Sequence, residues 1–237
     1  MREKILGIWS IWKFPLSRES RIGFLLSMAA IDLLICAPIY LIPNHLMGLQ
    51  GTTVLDPTTS LDLAIPFMAW TIVIYLSLFY FFYPLPLIST PGDKRGRYEA
   101  LIMSQSMIVL FVISNIWFLI CPAEIHIRSQ ALENVDTMHP VFLAMFEGLW
   151  FMDEPYNAWP SLHVSSAGLF TFFAIRWWKG KPMRQWAVGI CWILMSLSIL
   201  TTKQHFILDM VTGALILVPL WKWQIQPSLA RLDLESI

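Results

Sequence analysis

The sequence predicts an all-α, polytopic membrane protein, and three observations support that prediction. Hydrophobic residues make up 57% of the chain and charged residues only 14%, whereas about a quarter of a soluble chain is charged. The apolar residues are grouped in segments close to the ~20 residues that cross a hydrocarbon core. The Lys and Arg residues between these segments are concentrated in alternate loops. The chain has 237 residues, and we expect it to form a single integral-membrane domain, 1–237.

Six apolar segments are predicted to form transmembrane helices. They are 22–43, 62–83, 99–120, 161–178, 185–202 and 205–222. The first begins too late and is too long for a cleaved signal peptide, and no small-residue cleavage site follows it. The three cysteines are scattered along the chain and odd in number, so they predict neither a disulfide framework nor a metal site.

The basic residues predict the orientation of these helices. Four cytoplasmic stretches are rich in Lys and Arg, namely Arg2, Lys4, Lys13, Arg18 and Arg21, then Lys94, Arg95 and Arg97, then Lys179, Lys181 and Arg184, and finally Lys222 and Arg231. The first loop, 44–61, contains no Lys or Arg, and the last tight turn contains only Lys203. By the positive-inside rule, both termini are cytoplasmic and the remaining loops lie outside. The expected location is a bacterial inner membrane.

The third loop, 121–160, is too long to be a simple turn. Within it, the stretch 140–152 is apolar and aromatic but too short to span a bilayer. We expect an interfacial helix there, lying in the membrane surface and able to wall a route for lipid access. The alternative is a loop that merely packs on the helical bundle.

A histidine and an aspartate lie one helical turn apart at the start of the last segment. His205 and Asp209 are separated by four residues, so on a helix they share one face. The carboxylate can accept the Nδ1–H of the ring and leave Nε2 free as a nucleophile or base. Ionisable groups inside a membrane are costly and usually functional. The alternative is an ion pair that holds two helices together.

A second polar cluster lies at the start of the fourth segment, on the same predicted side. Ser161 follows Pro160 at an expected helix N-terminus, where free N–H groups favour phosphate, and His163 lies two residues further on. Lys203 and Arg128 are the basic side chains of this otherwise acidic side. Beside a His–Asp pair, a phosphate-binding role for these two cations is the favoured interpretation.

These residues resemble the motifs of a known family. Pro160-Ser161-Leu162-His163 resembles the Pro-Ser-x-His motif of the type 2 phosphatidic acid phosphatase (lipid phosphate phosphatase) superfamily, and His205-x-x-x-Asp209 resembles its last motif. Six spans and a long third loop also match its membrane members. The resemblance implies that His205 is the nucleophile that forms a phosphohistidine, that Asp209 orients it and that His163 is the acid and later the base. It implies that Ser161 binds phosphate, and it implies no metal and no other cofactor.

Two departures from the family pattern concern its cations. The arginine expected before the last histidine would fall at Ile199, which makes Lys203 a candidate substitute. In the first motif, Arg128 is followed by Ser129 instead of proline, and Cys121 stands where the family has lysine. The pattern resembles the divergent branch that includes inositol phosphorylceramide synthases. Phosphatase and phosphotransferase therefore both stay open.

The expected function is hydrolysis of a phosphomonoester or diphosphate of a membrane lipid at the extracytoplasmic face. The expected partners are a lipid phosphate and membrane lipids; the zero formal net charge gives no indication of nucleic acid. One alternative is a phosphotransferase with an alcohol acceptor, and another is a proton-coupled transporter. The polar clusters lie at one membrane face and not mid-membrane, which argues against the transporter. Asp32, within the first span, and Gly168 and Gly213 are expected to serve helix packing.

Overall fold

A computed structural model describes residues 7–234 of the chain. About 75% of the protein is helical, and the described residues contain no β-strand, so the predicted all-α class is confirmed. The basic residues Arg2 and Lys4, which contributed to the predicted orientation, lie outside the described residues.

The helices follow one another along the chain with short connections. The α-helices are α1 (Lys13–Leu16), α2 (Arg21–Gln50), α3 (Ser60–Ala64), α4 (Thr71–Phe82), α5 (Leu85–Ser89), α6 (Lys94–Ile120), α7 (Ser129–Leu132), α8 (Pro140–Met152), α9 (Leu162–Trp177), α10 (Pro182–Thr201), α11 (Ile207–Leu215), α12 (Leu217–Leu220) and α13 (Gln226–Leu234). Short 3₁₀ turns cover Ser10–Trp12, His126–Arg128 and Val135–Thr137, and a π-helical turn covers Trp221–Ile225.

Three of the described helices, α2, α6 and α10, are long and apolar enough to cross a membrane. The predicted segment 161–178 forms the 16-residue helix α9, and 205–222 is divided between α11, α12 and the π-helical turn. The stretch 140–152 is helical as α8, and its location at a membrane surface stays a prediction.

The predicted segment 62–83 is interrupted. It contains the end of α3, a non-helical stretch and then the 12-residue α4. In that stretch the Met68 N–H donates to the Thr201 carbonyl across the bundle, and Pro66 disfavours helical backbone at the residue before it. The segment therefore packs onto the end of α10 instead of continuing as one helix.

Helix α9 is the centre of the bundle and packs against α4, α5, α6, α10, α11 and α12. Every residue from Val164 to Phe170 is buried, so the helix is surrounded by protein on all sides over this stretch. A Cβ atom on Gly168 would lie 2.5 Å from Leu217 Cδ1 and 3.0 Å from Trp192. The expected packing role of Gly168 is thus confirmed, because any side chain would push these neighbours apart.

The outer surface of the bundle is apolar, while several polar groups lie inside. Leu33 and Leu34 on α2 are 67% and 74% exposed, which is unusual for a protein surrounded by water. In contrast, Asp32 accepts a hydrogen bond of 2.7 Å from the Ser104 hydroxyl on α6. This contact joins α2 to α6, as expected for a packing role of Asp32.

One end of the bundle is held together by arginine side chains, and we call it the arginine end; it comprises Arg21, Arg95, Arg97, Arg176 and Glu99. The Arg97 guanidinium donates to the carbonyls of Arg18 and Glu19 at 2.6 and 2.5 Å. Arg21 donates to two carbonyls of the segment after α4. The buried Glu99 carboxylate accepts hydrogen bonds from Arg95 Nε, from Nε and Nη2 of Arg176 and from the Trp177 indole N–H.

Candidate active site

The opposite end of the bundle brings the two sequence motifs together, and we call it the histidine end; it comprises Arg128, Ser161, His163, His205 and Asp209. Ser161 precedes α9, and a tight turn from α10 to α11 leads through His205 to Asp209. The Ser161 N–H donates to the Asp209 carbonyl at 3.1 Å. A Cβ on Gly213 would lie 2.6 Å from the Ser161 carbonyl oxygen. The absence of a side chain at Gly213 therefore lets the two motifs approach, which agrees with the close packing that the sequence predicted for this glycine.

The His205 ring faces the Asp209 carboxylate. Nδ1 lies 3.3 Å from Oδ2, and the same oxygen accepts the Phe206 N–H at 2.9 Å. Asp209 is fully buried and His205 is almost fully buried. Oδ1 of Asp209 has no hydrogen-bond partner among the described residues. Because a carboxylate only accepts hydrogen bonds, this contact favours a proton on His205 Nδ1 and a lone pair on Nε2.

Two further predicted groups converge on that second nitrogen. His163 Nδ1 lies 3.1 Å from His205 Nε2, and the Ser161 hydroxyl lies 3.4 Å from it. Ser161 also caps α9, since its Oγ accepts from the Val164 N–H. The structure thus brings together Ser161, His163, His205 and Asp209 around one imidazole nitrogen.

The other nitrogen of His163 contacts a residue that the sequence did not indicate. The Tyr75 hydroxyl on α4 lies 2.6 Å from His163 Nε2. The ring of Phe79, one turn further along α4, packs on the same imidazole with centroids 4.6 Å apart. Tyr75 lies inside a continuous apolar segment, so no local pattern distinguished it from a packing residue.

Arg128 is buried at the same end, 7% exposed. Its Nη1 donates to the Asp153 carbonyl at 2.8 Å, and its Nη2 lies 3.6 Å from the Asp153 carboxylate. Nε and Nη2 make no hydrogen bond with any described residue. The ring of His126, two residues before Arg128, packs against Phe206, the residue after His205, with ring centroids 5.6 Å apart. Arg128 therefore retains buried, unused donors at the histidine end, an arrangement that suits an anion.

Asp153 is itself held by the first long helix. The Tyr40 hydroxyl donates to its carboxylate, and the Asn44 side-chain amide donates to the same oxygen at 3.2 Å. The Asn44 amide also exchanges hydrogen bonds with the backbone of Glu154. The end of α2 thus fixes the loop that holds Arg128. No sequence pattern indicated these residues, because they lie far from either motif along the chain.

Lys203 is not brought to the histidines. Its ammonium donates to the carbonyls of Asp62 and Ile65 at 2.8 and 2.5 Å, and the residue is fully buried. Burial lowers the pKa of Lys203, and the Asp62 carboxylate opposes that shift. The Asp62 side chain in turn accepts the Ile207 N–H at 2.7 Å, at the start of α11. These contacts fasten the α10–α11 turn to the segment before α4.

The described residues contain no group of three or more His, Cys, Asp or Glu side chains that could hold a metal ion. The acidic and imidazole groups at the histidine end form the pair His205–Asp209 with His163 beside it. This arrangement can support nucleophilic and acid–base catalysis by side chains, and its buried guanidinium can bind an anion.

Comparison with known families gives one match. A family model described as the PAP2 superfamily matches residues 44–223, which is more than two thirds of the chain and includes every predicted site residue. No curated protein and no solved structure matches the chain. The match does not confirm the branch that resembles inositol phosphorylceramide synthases. The chain belongs to the PAP2 superfamily, whose members are generally phosphatases or phosphotransferases.

Proposed function

We propose that the protein is a membrane lipid phosphatase that transfers the phosphoryl group of a lipid phosphomonoester or diphosphate first to His205 and then to water. The observation that carries this proposal is the convergence of Ser161 Oγ and His163 Nδ1 on His205 Nε2. Family membership suggests activity of the phosphatase type. The site residues are His205, His163 and Asp209 for catalysis and Ser161 and Arg128 for phosphate binding.

In the first step His205 Nε2 attacks phosphorus while the bond from phosphorus to the lipid oxygen breaks. Asp209 holds the Nδ1 proton and orients the ring. The leaving oxygen is a poor leaving group and takes a proton from His163. The 3.1 Å contact between His163 and His205 must open for phosphorus to reach the nitrogen. Ser161 and the free N–H groups at the start of α9 then face the phosphoryl oxygens.

In the second step a water molecule attacks the phosphohistidine. His163, now neutral, accepts a proton from the water as the new P–O bond forms and the P–N bond breaks. Inorganic phosphate leaves, His205 regains its lone pair and His163 is again protonated. The unused donors of Arg128 stabilise the negative charge of the phosphoryl group in both steps.

We assign the phosphate-binding cation to Arg128 rather than Lys203. Arg128 has two buried nitrogens without hydrogen-bond partners among the described residues, so a phosphate would complete its hydrogen bonding. Lys203 already donates to two carbonyls of the segment before α4. Binding a phosphate would require Lys203 to give up contacts that hold the α10–α11 turn.

We further propose six spans with the histidine end on the extracytoplasmic side of a bacterial inner membrane. The apolar exterior and the three long helices support membrane insertion, and the basic loops lie at the arginine end, as in cytoplasmic loops. A cysteine at the exposed Asn134 should react with an impermeant thiol reagent on intact cells, whereas one at the exposed Lys94 should not. These cysteines belong in a variant with the native cysteines replaced. The opposite labelling pattern would reverse the orientation.

The proposed activity needs neither a metal nor another cofactor. The purified protein in detergent should release inorganic phosphate from phosphatidate, phosphatidylglycerophosphate, polyprenyl diphosphate or lipid A, and chelator should leave the rate unchanged. His205→Ala, prepared in parallel, measures contaminating phosphatase. Equal release by wild type and His205→Ala would contradict the proposal.

The second candidate function is lipid phosphotransfer, and the departures around Cys121 and Arg128 from the family's first motif favour it. In that case an alcohol, instead of water, takes the phosphoryl group from His205. Phosphate release from the lipid would be low without acceptor, and a phosphorylated alcohol would form when one is supplied. Uptake of a solute driven by a proton gradient, without either reaction, would instead indicate the transporter.

A further inference from the structure

Tyr75 is placed to control His163 from the side opposite to His205. It is fully buried on α4, and its hydroxyl lies 2.6 Å from His163 Nε2. We propose that Tyr75 is a positioning residue that fixes the His163 ring so that Nδ1, and not Nε2, exchanges protons with the substrate and with water. This inference rests on the proposed function.

The contacts along the chain of rings fix where the protons lie. The Asp209 carboxylate requires a proton on His205 Nδ1, which leaves a lone pair on His205 Nε2. The nitrogen that faces this lone pair, His163 Nδ1, must then carry a proton. In this arrangement the neutral and the protonated His163 ring therefore differ only in whether Nε2 carries a proton. Among the described residues, this nitrogen contacts the Tyr75 hydroxyl.

A phenol hydroxyl suits this position because it can both donate and accept. With a neutral His163 ring protonated on Nδ1, the Tyr75 O–H donates to Nε2; with a protonated ring, the Nε2–H donates to the Tyr75 oxygen. A carboxylate in this place would stabilise the charged ring and weaken it as an acid. Tyr75 thus orients His163 without adding a charge, whereas Asp209 orients His205 with one.

The proton balance of the two steps follows from this contact. The protonated His163 ring gives its Nδ1 proton to the leaving oxygen as the P–O bond breaks. The ring is then neutral with its remaining proton on Nε2, which still donates to Tyr75. In the second step Nδ1 accepts the proton of the attacking water. Nothing passes to Tyr75, so its role is to hold the tautomer.

Packing keeps the two rings in this relation. The Tyr75 ring meets the imidazole edge-on, with centroids 5.2 Å apart, and Phe79 covers it at 4.6 Å. Helix α4 itself packs extensively against α10. A Tyr75→Phe variant keeps the ring and its packing and removes only the hydroxyl, so it isolates the hydrogen bond.

The test compares two leaving groups in the same preparation of Tyr75→Phe. Both rates are those of the first turnover, measured by rapid mixing, because the later hydrolysis of the phosphohistidine also uses His163 and is common to both substrates. An alkyl phosphate lipid needs a proton on its leaving oxygen, whereas p-nitrophenyl phosphate hardly does. We expect release of the lipid alcohol to fall about ten-fold or more, part of the roughly 10²- to 10⁴-fold that a positioned acid contributes. Release of nitrophenol should change by less than about three-fold. The matched control is Tyr80→Phe, an exposed tyrosine on the same helix, which should leave both rates unchanged.

The ratio of the two rates does not depend on how much protein is folded, so it stays interpretable if Tyr75→Phe is less stable. An equal loss on both substrates, or no loss on either, would overturn the positioning role while leaving the phosphatase proposal intact. If wild type released neither leaving group, the proposed function itself would fail, and the role of Tyr75 with it.

Discussion

The two ends of the bundle use arginine in different ways. At the arginine end, Arg97 donates to two carbonyls and Arg176 makes two hydrogen bonds to the Glu99 carboxylate. At the histidine end, Arg128 makes one hydrogen bond, to the Asp153 carbonyl, and its Nε and Nη2 have no hydrogen-bond partner among the described residues. No guanidinium nitrogen at the first end is buried without a hydrogen-bond partner among the described residues, whereas two nitrogens of Arg128 at the second end are.

This difference separates structural cations from those that await a ligand. A buried polar group without a partner costs about 1–3 kcal/mol, so an arrangement that keeps one requires an explanation. A phosphate bound at the histidine end would accept hydrogen bonds from Arg128 and would explain why its donors have no protein partner. Lys203 lies near the same end of the bundle, yet its ammonium donates to two carbonyls. Hydrogen-bond satisfaction, and not location alone, therefore distinguishes the two cations.

The largest effect is expected at His205, the proposed nucleophile. His205→Ala should lower turnover by at least about 10⁴-fold, because removal of a nucleophile can cost more than that in other enzymes. The variant should also form no phosphoenzyme, and the label on wild type should be acid-labile and base-stable. His126→Ala, which changes an exposed histidine, is the control and should retain activity. Phosphoenzyme in His205→Ala would remove His205 as the nucleophile.

The comparison of the two ends is tested directly by removing one arginine from each. Arg128→Ala should lower turnover by about 100-fold or more, because it removes the proposed charged contact to the phosphoryl group. Arg128→Lys should recover part of the activity, since charge returns without the guanidinium geometry. The measurement is the rate of phosphate release with saturating lipid phosphate.

Arg176→Ala is the matched variant at the arginine end. It deprives the buried Glu99 of two hydrogen bonds and should lower the free energy of unfolding by about 1–3 kcal/mol. The rate per folded molecule should stay close to wild type. If Arg176→Ala lowered that rate as much as Arg128→Ala, the distinction between the two ends would be wrong.

A smaller effect is expected from closing the gap between the motifs. Gly213→Ala places a methyl group 2.6 Å from the Ser161 carbonyl oxygen, so α11 must move away from α9. Overpacking of this kind costs about 1–3 kcal/mol, and activity should fall as His205 moves from Ser161. Gly189→Ala on α10 meets nothing within 4 Å and should be neutral or stabilising by up to about 1 kcal/mol. Thermal unfolding with activity assays checks both, and equal behaviour would contradict the close approach.

Local sequence patterns predicted part of this arrangement. The helical class, the His205–Asp209 spacing and the glycine at 213 follow from periodicity and motif, which act over a single turn. The break before α4 was not predicted. Pro66 is a local signal for it, but the packing of this stretch depends on a hydrogen bond to the Thr201 carbonyl and on one from the Lys203 ammonium, more than a hundred residues away. Tyr75 and Asp153 were missed for the same reason. A hydropathy average uses only residues that are adjacent in sequence. It therefore indicates a packing role for a tyrosine in an apolar segment and gives no information on the histidine that the tyrosine contacts.

Only a small effect on chemistry is expected at Lys203, and this expectation separates the two cations near the histidine end. From the sequence alone, Lys203 could bind phosphate, and its loss would then lower turnover by about 100-fold. Its contacts with the carbonyls of Asp62 and Ile65 instead predict that Lys203→Met lowers the free energy of unfolding by about 1–3 kcal/mol, because two buried acceptors lose a donor. The methionine keeps most of the apolar stem, so the change isolates the ammonium. At a temperature at which wild type is fully folded, turnover per folded molecule should fall by less than about ten-fold, far less than for Arg128→Ala. A large loss of turnover in a variant as stable as wild type would return the phosphate contact to Lys203 and reduce Arg128 to a structural role.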